Sequence, residues 1–260
     1  MYSNNNNACP MPKDIKRILV SQPKPSSPRS PYFDIEKKYG VELTFRPLFS
    51  LEPVSTRELR DQKIDPNDFT ALVLTSRTMT DHLFTQLKEM RIELDDSYKY
   101  YCLSEMIVGY LQKFITVRKR KVYTPENNGN QEELIDLIIK RKKERFLIPT
   151  TEGQQKEDFF ARLDEEGIDY SRYVITRTTY TSFTREELDA FDGILFFSPN
   201  GVDSLFHNYP DFAQGKRLMG CLGEGTKQAM EEQGLRVDIM APTPQFPSMT
   251  AALEAALKKH

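Results

Sequence analysis

The sequence predicts an α/β protein built from two similar parallel-sheet α/β domains, and three observations carry that prediction. Short β-rich runs alternate with helical patterns along the chain, which is the signature of βαβ units and a mainly parallel sheet. Many of the runs are apolar throughout, as in strands covered by helices on both faces. The chain also contains a diverged copy of itself. ALVLTSRTMTDHLF (71–84) returns as GILFFSPNGVDSLF (193–206), so that Ser76, Asp81 and Phe84 match Ser198, Asp203 and Phe206. CLSEMIVGYL (102–111) returns as CLGEGTKQAM (221–230). RILVSQ with YFDIEKKYGVEL (17–22, 32–43) is echoed by RFLIPT with FFARLDEEGIDY (145–150, 159–170). Copies of this length are domains rather than solenoid units, which recur every ~20–50 residues.

In chain order the expected strands are 17–21, 41–49, 71–76, 99–104, 145–150, 172–178, 193–198, 217–223 and 237–242. The expected helices are 32–39, 55–61, 78–91, 105–115, 131–142, 154–166, 201–207, 225–233 and 248–258. Gly40, Gly167 and Gly234 each follow a helical stretch where a left-handed cap is expected. Residues 1–14, with an Asn run at 4–7 and Pro10 and Pro12, read as a frayed tail.

Four half-units result: 17–49, 70–124, 145–178 and 192–242. If the second packs with the third and the first with the fourth, the chain begins in one domain, builds the other and returns. Two crossings then form a two-stranded linker at 48–52 and 174–180. The first domain is then 15–48 plus 180–260, and the inserted second domain is 52–174. The repeat alone leaves the sequential pairing open. Ligands favour crevices between domains, which is where such a pair would hold its site.

Composition narrows the function. The chain has 260 residues, 38% hydrophobic and 28% charged, with a net charge of −2. A dedicated nucleic-acid domain usually runs to pI above ~9, so no nucleic-acid partner is expected. No apolar stretch approaches the ~18 residues of a membrane span, and the N-terminus has no apolar signal core, so the expectation is a cytoplasmic protein without membrane attachment. The three cysteines include no CxxC. Cys102 and Cys221 fall at equivalent strand positions and read as small buried hydrophobes of a reducing compartment.

A conventional catalytic kit is missing. The three histidines, His82, His207 and His260, lie outside metal spacing of one another, so no metal is expected. His82, beside Leu83 and Phe84, reads as helix surface or core rim. What recurs is the strand–turn–helix junction carrying hydroxyls and glycine: LTSRT (74–78), FFSPNG (196–201) and LGEGT (222–226). The first helical N–H groups lack partners there and the macrodipole is positive, so such junctions at a parallel sheet's carboxyl edge bind anions. Ser198 followed by Pro199 reads as a helix cap with proline at the first helical position. The turn SQPKPSSPRSP (21–31) brings Lys24 and Arg29 among four prolines, either as a stiffened flap or as a plain loop. Arg177 is a further cation in the second crossing. The basic runs RKRK (118–121) and KRKKER (140–145) read as solvated surface.

CLGEGTKQAMEEQGLRVDIMAPTPQFPSMTAAL (221–253) resembles the C-terminal signature of uroporphyrinogen-III synthases: a Gly-x-x-Thr turn, a helix, Gly-Leu, a strand and a proline-rich turn before the last helix. FFSPNGVDSLF and VLTSRTMTDHLF are similar to the family's paired junctions, and ILVSQPKP to its opening strand; the resemblance covers roughly 15–258. It implies two α/β domains joined by a two-stranded linker and a cofactor-free closure of hydroxymethylbilane to uroporphyrinogen III, with inversion of the last pyrrole ring and loss of water; the sequence does not give the oligomeric state, and a two-domain hinge suits a monomer. The substrate carries acetate and propionate groups on every ring, which suits a cleft of N–H groups, hydroxyls and a few cations. The implied substrate contacts are Ser21, Lys24, Arg29, Ser76, Arg77, Thr78, Thr150, Thr151, Arg177, Ser198, Pro199, Asn200, Gly201, Gly223 and Gly225, with Thr226 and Tyr180 as the implied catalytic pair.

The chain departs from the family pattern in places. A tyrosine often precedes Arg-Thr at the second crossing, and here that slot is Thr176; Tyr173 and Tyr180 lie nearby. Ser21-Gln22-Pro23 stands where an arginine is common before the proline. Ser104, Met106 and Ile107 replace the equivalents of Gly223, Gly225 and Thr226, so the first-copy junction is expected to have lost its binding turn. Two other classes compete with an enzyme: a non-catalytic two-domain binder of a polyanionic small molecule, and a basic-surface interaction module.

Overall fold

The computed structural model describes residues 15–153 and 158–258. The expectations placed on the tail 1–14, on Cys9 and on His260 lie outside the described residues. The chain divides into two compact units that exchange at Ser50/Leu51 and Thr178/Thr179.

In the unit holding both chain ends, the described strands are β1 (Arg17–Val20), β2 (Glu42–Phe45), β9 (Gly193–Phe196), β10 (Leu218–Leu222) and β11 (Ile239–Ala241). They form a sheet in the order β11-β10-β9-β1-β2, parallel at every pairing. Both faces are covered, which explains why RILV is apolar without alternation. Ile18 and Val20 pack with Tyr32 and Ile35 of helix α1 (Pro31–Tyr39) and Met249 and Leu253 of α10 (Met249–Leu257). Leu19, on the other face, packs with Val202 and Leu205 of α8 (Pro199–Asn208) and Met230 of α9 (Glu224–Glu232).

The other unit contains β3 (Phe49–Pro53), β4 (Ala71–Leu74), β5 (Lys99–Cys102), β6 (Val122–Tyr123), β7 (Phe146–Thr151) and β8 (Tyr170–Tyr180), ordered β3-β8-β7-β4-β5-β6. Leu72 and Leu74 pack toward α2 (Thr56–Asp61), α3 (Arg77–Met90) and α4 (Glu105–Leu111). Val73 and Phe146 pack toward α5 (Gln131–Ile139) and α6 (Asp158–Glu165). The half-units are therefore interleaved, 17–49 with 192–242 and 70–124 with 145–178. Edge strand β3 runs antiparallel to β8, because the Val54 N–H reaches Ile175 O and the Thr181 N–H reaches Leu48 O, both in bonds of 2.8–3.0 Å.

The expected strand 41–49 is two strands. The last bond of this segment to β1 is the Arg46 N–H to Val20 O at 3.0 Å, and Pro47, which has no N–H to give a ladder, marks the break before β3. The helices expected at 105–115 and 131–142 end earlier, at Leu111 and Ile139, in turns closed by Ile115 N–H to Leu111 O and Arg141 N–H to Ile138 O. A short helix the periodicity did not signal, α7 (Arg185–Asp189), opens on a reciprocal Thr184–Glu187 capping box. Gly40, Gly167 and Gly234 have φ of 65°, 64° and 73°, the left-handed caps expected of them. Cys102 and Cys221 are fully buried, and burial pushes their thiols up to about 12 and about 11.

Gly220 of β10 is fixed by close approach. A Cβ there would lie 2.7 Å from Ile239 Cγ1 and 2.7 Å from Leu195 Cδ2. Gly109, inside α4, has nothing within 4 Å of its Cβ position. In urea unfolding, Gly220→Ala should cost about 1–3 kcal/mol by overpacking, whereas Gly109→Ala should be neutral or gain up to ~1 kcal/mol. Equal midpoints for the two variants would contradict this packing.

Candidate active-site junctions

Each sheet has a point at which the chain's outward march reverses direction. In the sheet with both chain ends it falls between β1 and β9, and in the other between β7 and β4. Ligands of open α/β sheets bind outside the carboxyl ends of the strands at such switch points. Most of the candidates lie there: Ser21 after β1, Ser198–Gly201 after β9, Thr150 and Thr151 ending β7, and Ser76–Thr78 after β4.

These hydroxyls are not equivalent. Ser21 is buried, and its Oγ accepts the Phe197 N–H at 3.2 Å, tying the β1 end to the β9 turn. Ser76 Oγ caps α3 by accepting the Met79 N–H at 3.1 Å. Thr151 and Thr176 share a hydroxyl–hydroxyl bond of 3.0 Å. Ser198 corrects the sequence reading in one respect: it sits at the α8 N-cap position with Pro199 next, but its side chain makes no capping bond. The Thr226 hydroxyl, in a residue 3% exposed at the third position of α9, likewise has no hydrogen-bond partner among the described residues.

Ser198 and Thr226 belong to adjacent helix starts. A Cβ on Gly225 would lie 4.0 Å from Pro199 Cγ, so α8 and α9 open side by side. Gly223 caps α9 at φ 82°, a conformation only glycine adopts without strain, and its N–H is held by Ala241 O at 2.7 Å. A Cβ on Gly201 would lie 3.4 Å from Phe196 Cδ1 and 3.5 Å from Ser21 Oγ, so glycine lets α8 start against the sheet end. The result is a strand edge with two helix N-termini, two unengaged hydroxyls and the Asn200 amide, the chemistry that holds carboxylates, with Glu224 in the first turn of α9 paired to Lys227 at 2.7 Å. The first-copy junction differs in that the Glu105 N–H is taken by Asn128 Oδ1 at 2.9 Å; a carboxylate in the first helical turn is common to both copies, Glu105 in α4 and Glu224 in α9.

Lys24 and Arg29 are exposed on the turn before α1, Lys24 with its ammonium 5.8 Å from the Phe33 ring. Arg77 lies 5.8 Å from the Tyr110 ring, and Thr78 is exposed. Arg177 is not a free cation. It is paired with Glu58 and lies 3.3 Å from Glu152 Oε2. Ser55, through its hydroxyl and its backbone N–H, and then Arg177 hold the Glu58 carboxyl down at about 2.

Thr176, at the slot where the family often carries tyrosine, is fully buried. Tyr173 is buried too, its hydroxyl against Met90 Sδ at 3.9 Å. Tyr180 is partly exposed, its ring 4.8 Å from that of His207. Burial, then the Asp203 carboxylate, raises the Tyr180 pKa and keeps it a phenol; burial, then Glu232, raises that of Asp203. Sequence reasoning missed this Tyr180–Asp203–His207 group. Its signal was the repeat itself, since Asp81, the copy of Asp203, accepts a bond from Tyr110 at 2.9 Å.

In the basic runs three cations are engaged locally: Arg118 with Asp96 at 2.9 Å, Arg145 with Asp169 at 3.2 Å, and Arg141 4.0 Å from the Tyr123 ring. Among the described residues no group of three or more His, Cys, Asp or Glu is arranged to hold a metal, and no helix is long and apolar enough to cross a membrane.

The fold is that of a two-unit α/β protein whose parallel strands end in helix starts carrying hydroxyls and glycine. The family model described as Uroporphyrinogen-III synthase HemD matches residues 34–251, and the chain belongs to that family. It is an enzyme of that family, a lyase of porphyrin and heme biosynthesis whose substrate is a tetrapyrrole. No curated protein matches the chain. Among solved structures it resembles a mutant uroporphyrinogen III synthase of the extremely thermophilic bacterium Thermus thermophilus, at 16% identity over 94% of this chain and 100% of that one, with a TM-score of 0.61. It also resembles the uroporphyrinogen-III synthetase of Helicobacter pylori, at 19% identity over 95% and 100%, with a TM-score of 0.58. At these identities the likeness speaks to the fold alone.

The Glu58 pairing makes a titration prediction. A carboxyl held down at about 2 adds stability that is fully present above the unfolded glutamate value and is lost as pH falls through about 2. Following the side-chain carboxyl carbon by NMR, Ser55→Ala should move the Glu58 midpoint upward, and Arg177→Met should move it up by less. An unmoved midpoint in Ser55→Ala would contradict the bonding described.

Proposed function

We propose that the chain closes hydroxymethylbilane to uroporphyrinogen III in an inter-domain cleft, with 48–52 and 174–180 as the linker strands. The observation that carries this reading is the paired start of α8 and α9, where Ser198 and Thr226 keep their hydroxyls unengaged beside unpaired helical N–H groups. A linear tetrapyrrole with acetate and propionate arms presents carboxylates for such a surface, and charge-assisted bonds to N–H and O–H groups are the strong class.

In the reaction the C–O bond of the terminal hydroxymethyl group breaks, driven by the pyrrole nitrogen, and leaves an azafulvene. The far ring attacks at its substituted carbon to give a spiro-pyrrolenine. Fragmentation breaks the bond from that carbon to its original methylene bridge, the methylene re-closes on the ring's other, unsubstituted α-carbon, which then loses its proton, and the ring is inverted; hydroxide and that proton leave as water. Without guidance the chain closes head to tail, so most of the catalysis is conformational. Tyr180, kept protonated by burial and by Asp203, suits donation to the departing hydroxide, and Thr226 suits a second donor. Lys24 and Arg29 on the turn after β1 suit carboxylate arms, as do Ser76, Arg77 and Thr78 at the switch point of the other sheet. Arg177 joins them only by giving up Glu58.

The deciding experiment is incubation with hydroxymethylbilane freshly made by its synthase, followed by separation of the isomers. The type III isomer is expected; formation of type I alone sinks the reading. Thr226→Ala should lower kcat by about tenfold, the value of one charge-assisted bond. Abolition of turnover with the fold intact would argue against a distributed site. Neutralising Lys24 and Arg29 together should raise KM with little change in kcat, and an unchanged KM removes them from the site.

A further inference from the structure

A cavity of ≈650 Å³ opens in the inserted unit, at the end of α3 farthest from Ser76. Its floor and walls are Phe84, Leu87, Ile92, Leu94, Phe114 and Ile115. Lys88, Arg91 and Lys113 stand on its rim with Glu93. From Ser76 to Lys88 is twelve helical residues, about 18 Å at 1.5 Å each, so the cavity lies at the sheet edge opposite the candidate junctions.

Three features distinguish this cavity from an ordinary surface dimple. Phe84 and Phe114 are stacked with centroids 5.0 Å apart and planes at 13°, a flat aromatic wall. The lining side chains include no hydroxyl and no amide, so recognition there divides between an apolar body and charge. Finally, Lys88, Arg91 and Lys113 make no ion pair with the described residues; Lys113 only lies 4.2 Å from the Tyr110 ring. A helix end can account for nearby cations, but the Leu87 and Lys88 carbonyls already accept N–H groups from Arg91 and Ile92. The rim cations thus stand beside apolar surface in excess of the one rim carboxylate, Glu93, and without an ion pair among the described residues.

From this we infer that the cavity is a binding site for an amphipathic acid, an apolar body of drug-like size ending in one anionic head. The volume lies in the range of small-molecule sites, ~300–1,000 Å³. Glu93 and the lack of neutral donors make it a poor site for a polyanion, so its ligand differs from the substrate held at the junctions. The inference does not rest on the proposed reaction.

The test uses the full chain and 8-anilinonaphthalene-1-sulfonate, an aromatic body with one anionic group, followed by fluorescence. Saturable binding to one site is expected. Lys88→Glu with Lys113→Glu, both exposed positions, should weaken it by about tenfold or more, because attraction to the head becomes repulsion. Ile115→Glu, which puts a carboxylate on the wall, should weaken it as well. Thermal melting by circular dichroism checks that each variant is folded. Displacement by 2-naphthoate at lower concentration than decanoate identifies an aromatic ligand; the reverse order identifies an aliphatic one. Affinity unchanged in the folded double variant, or displacement by neither acid, overturns the inference.

Discussion

A parallel sheet buried on both faces leaves its strand ends as the place where polar chemistry can be concentrated, and the candidate site depends on that constraint. In the sheet with both chain ends, Ile18 and Leu19 enter different cores although they are neighbours in sequence. Every connection from a parallel strand to its helix must then leave by the same edge, which gathers helix N-termini together. Helix starts carry unpaired N–H groups by geometry. The polar edge follows from the sheet's burial and needs no run of charged residues, in keeping with a chain whose net charge is −2.

What varies between junctions is which groups remain available. Ser21, Ser76 and Ser198 look alike in sequence, each a serine just past an apolar strand. The first holds the Phe197 amide, the second caps α3, and the third does neither. Proline at the first helical position contributes to the difference, because it fixes the backbone of the α8 start and removes one N–H. At the equivalent first-copy turn, Asn128 Oδ1 accepts the N–H at the start of the helix. Duplication therefore supplied similar edges in the two units, and side-chain engagement has made them unequal.

This inequality also marks what the sequence could reveal. Strand and helix order, the three glycine caps and the junctions were legible because they depend on local periodicity and on turn chemistry. The interleaving of half-units was open, since it is decided by strand pairing over long separations, such as Leu19 with Ile194. The break at Pro47 was readable in hindsight from the missing N–H. Arg177 appeared as a free cation because its partners Glu58 and Glu152 come from distant segments. The Tyr180–His207 contact joins a strand to a helix, and no spacing rule connects them.

Burial of Thr176 bears on how the leaving group is assisted. A threonine hydroxyl enclosed in the core, bonded to Thr151 and close to Met79 Sδ at 3.6 Å, is poorly placed to meet a solvent-filled site. Tyr180 lies four residues further along the same strand; an even separation keeps it on the same face of the pleat. Its hydroxyl sits in a setting that raises its pKa, which makes it a poorer acid than an ordinary phenol while securing it as a donor. Hydrogen-bond donation alone stabilises a departing hydroxide without full proton transfer, and a conformationally driven closure needs no more than that. The same setting gives Asp203 its part: a carboxylate beside a phenol disfavours phenolate, and so helps to keep Tyr180 protonated.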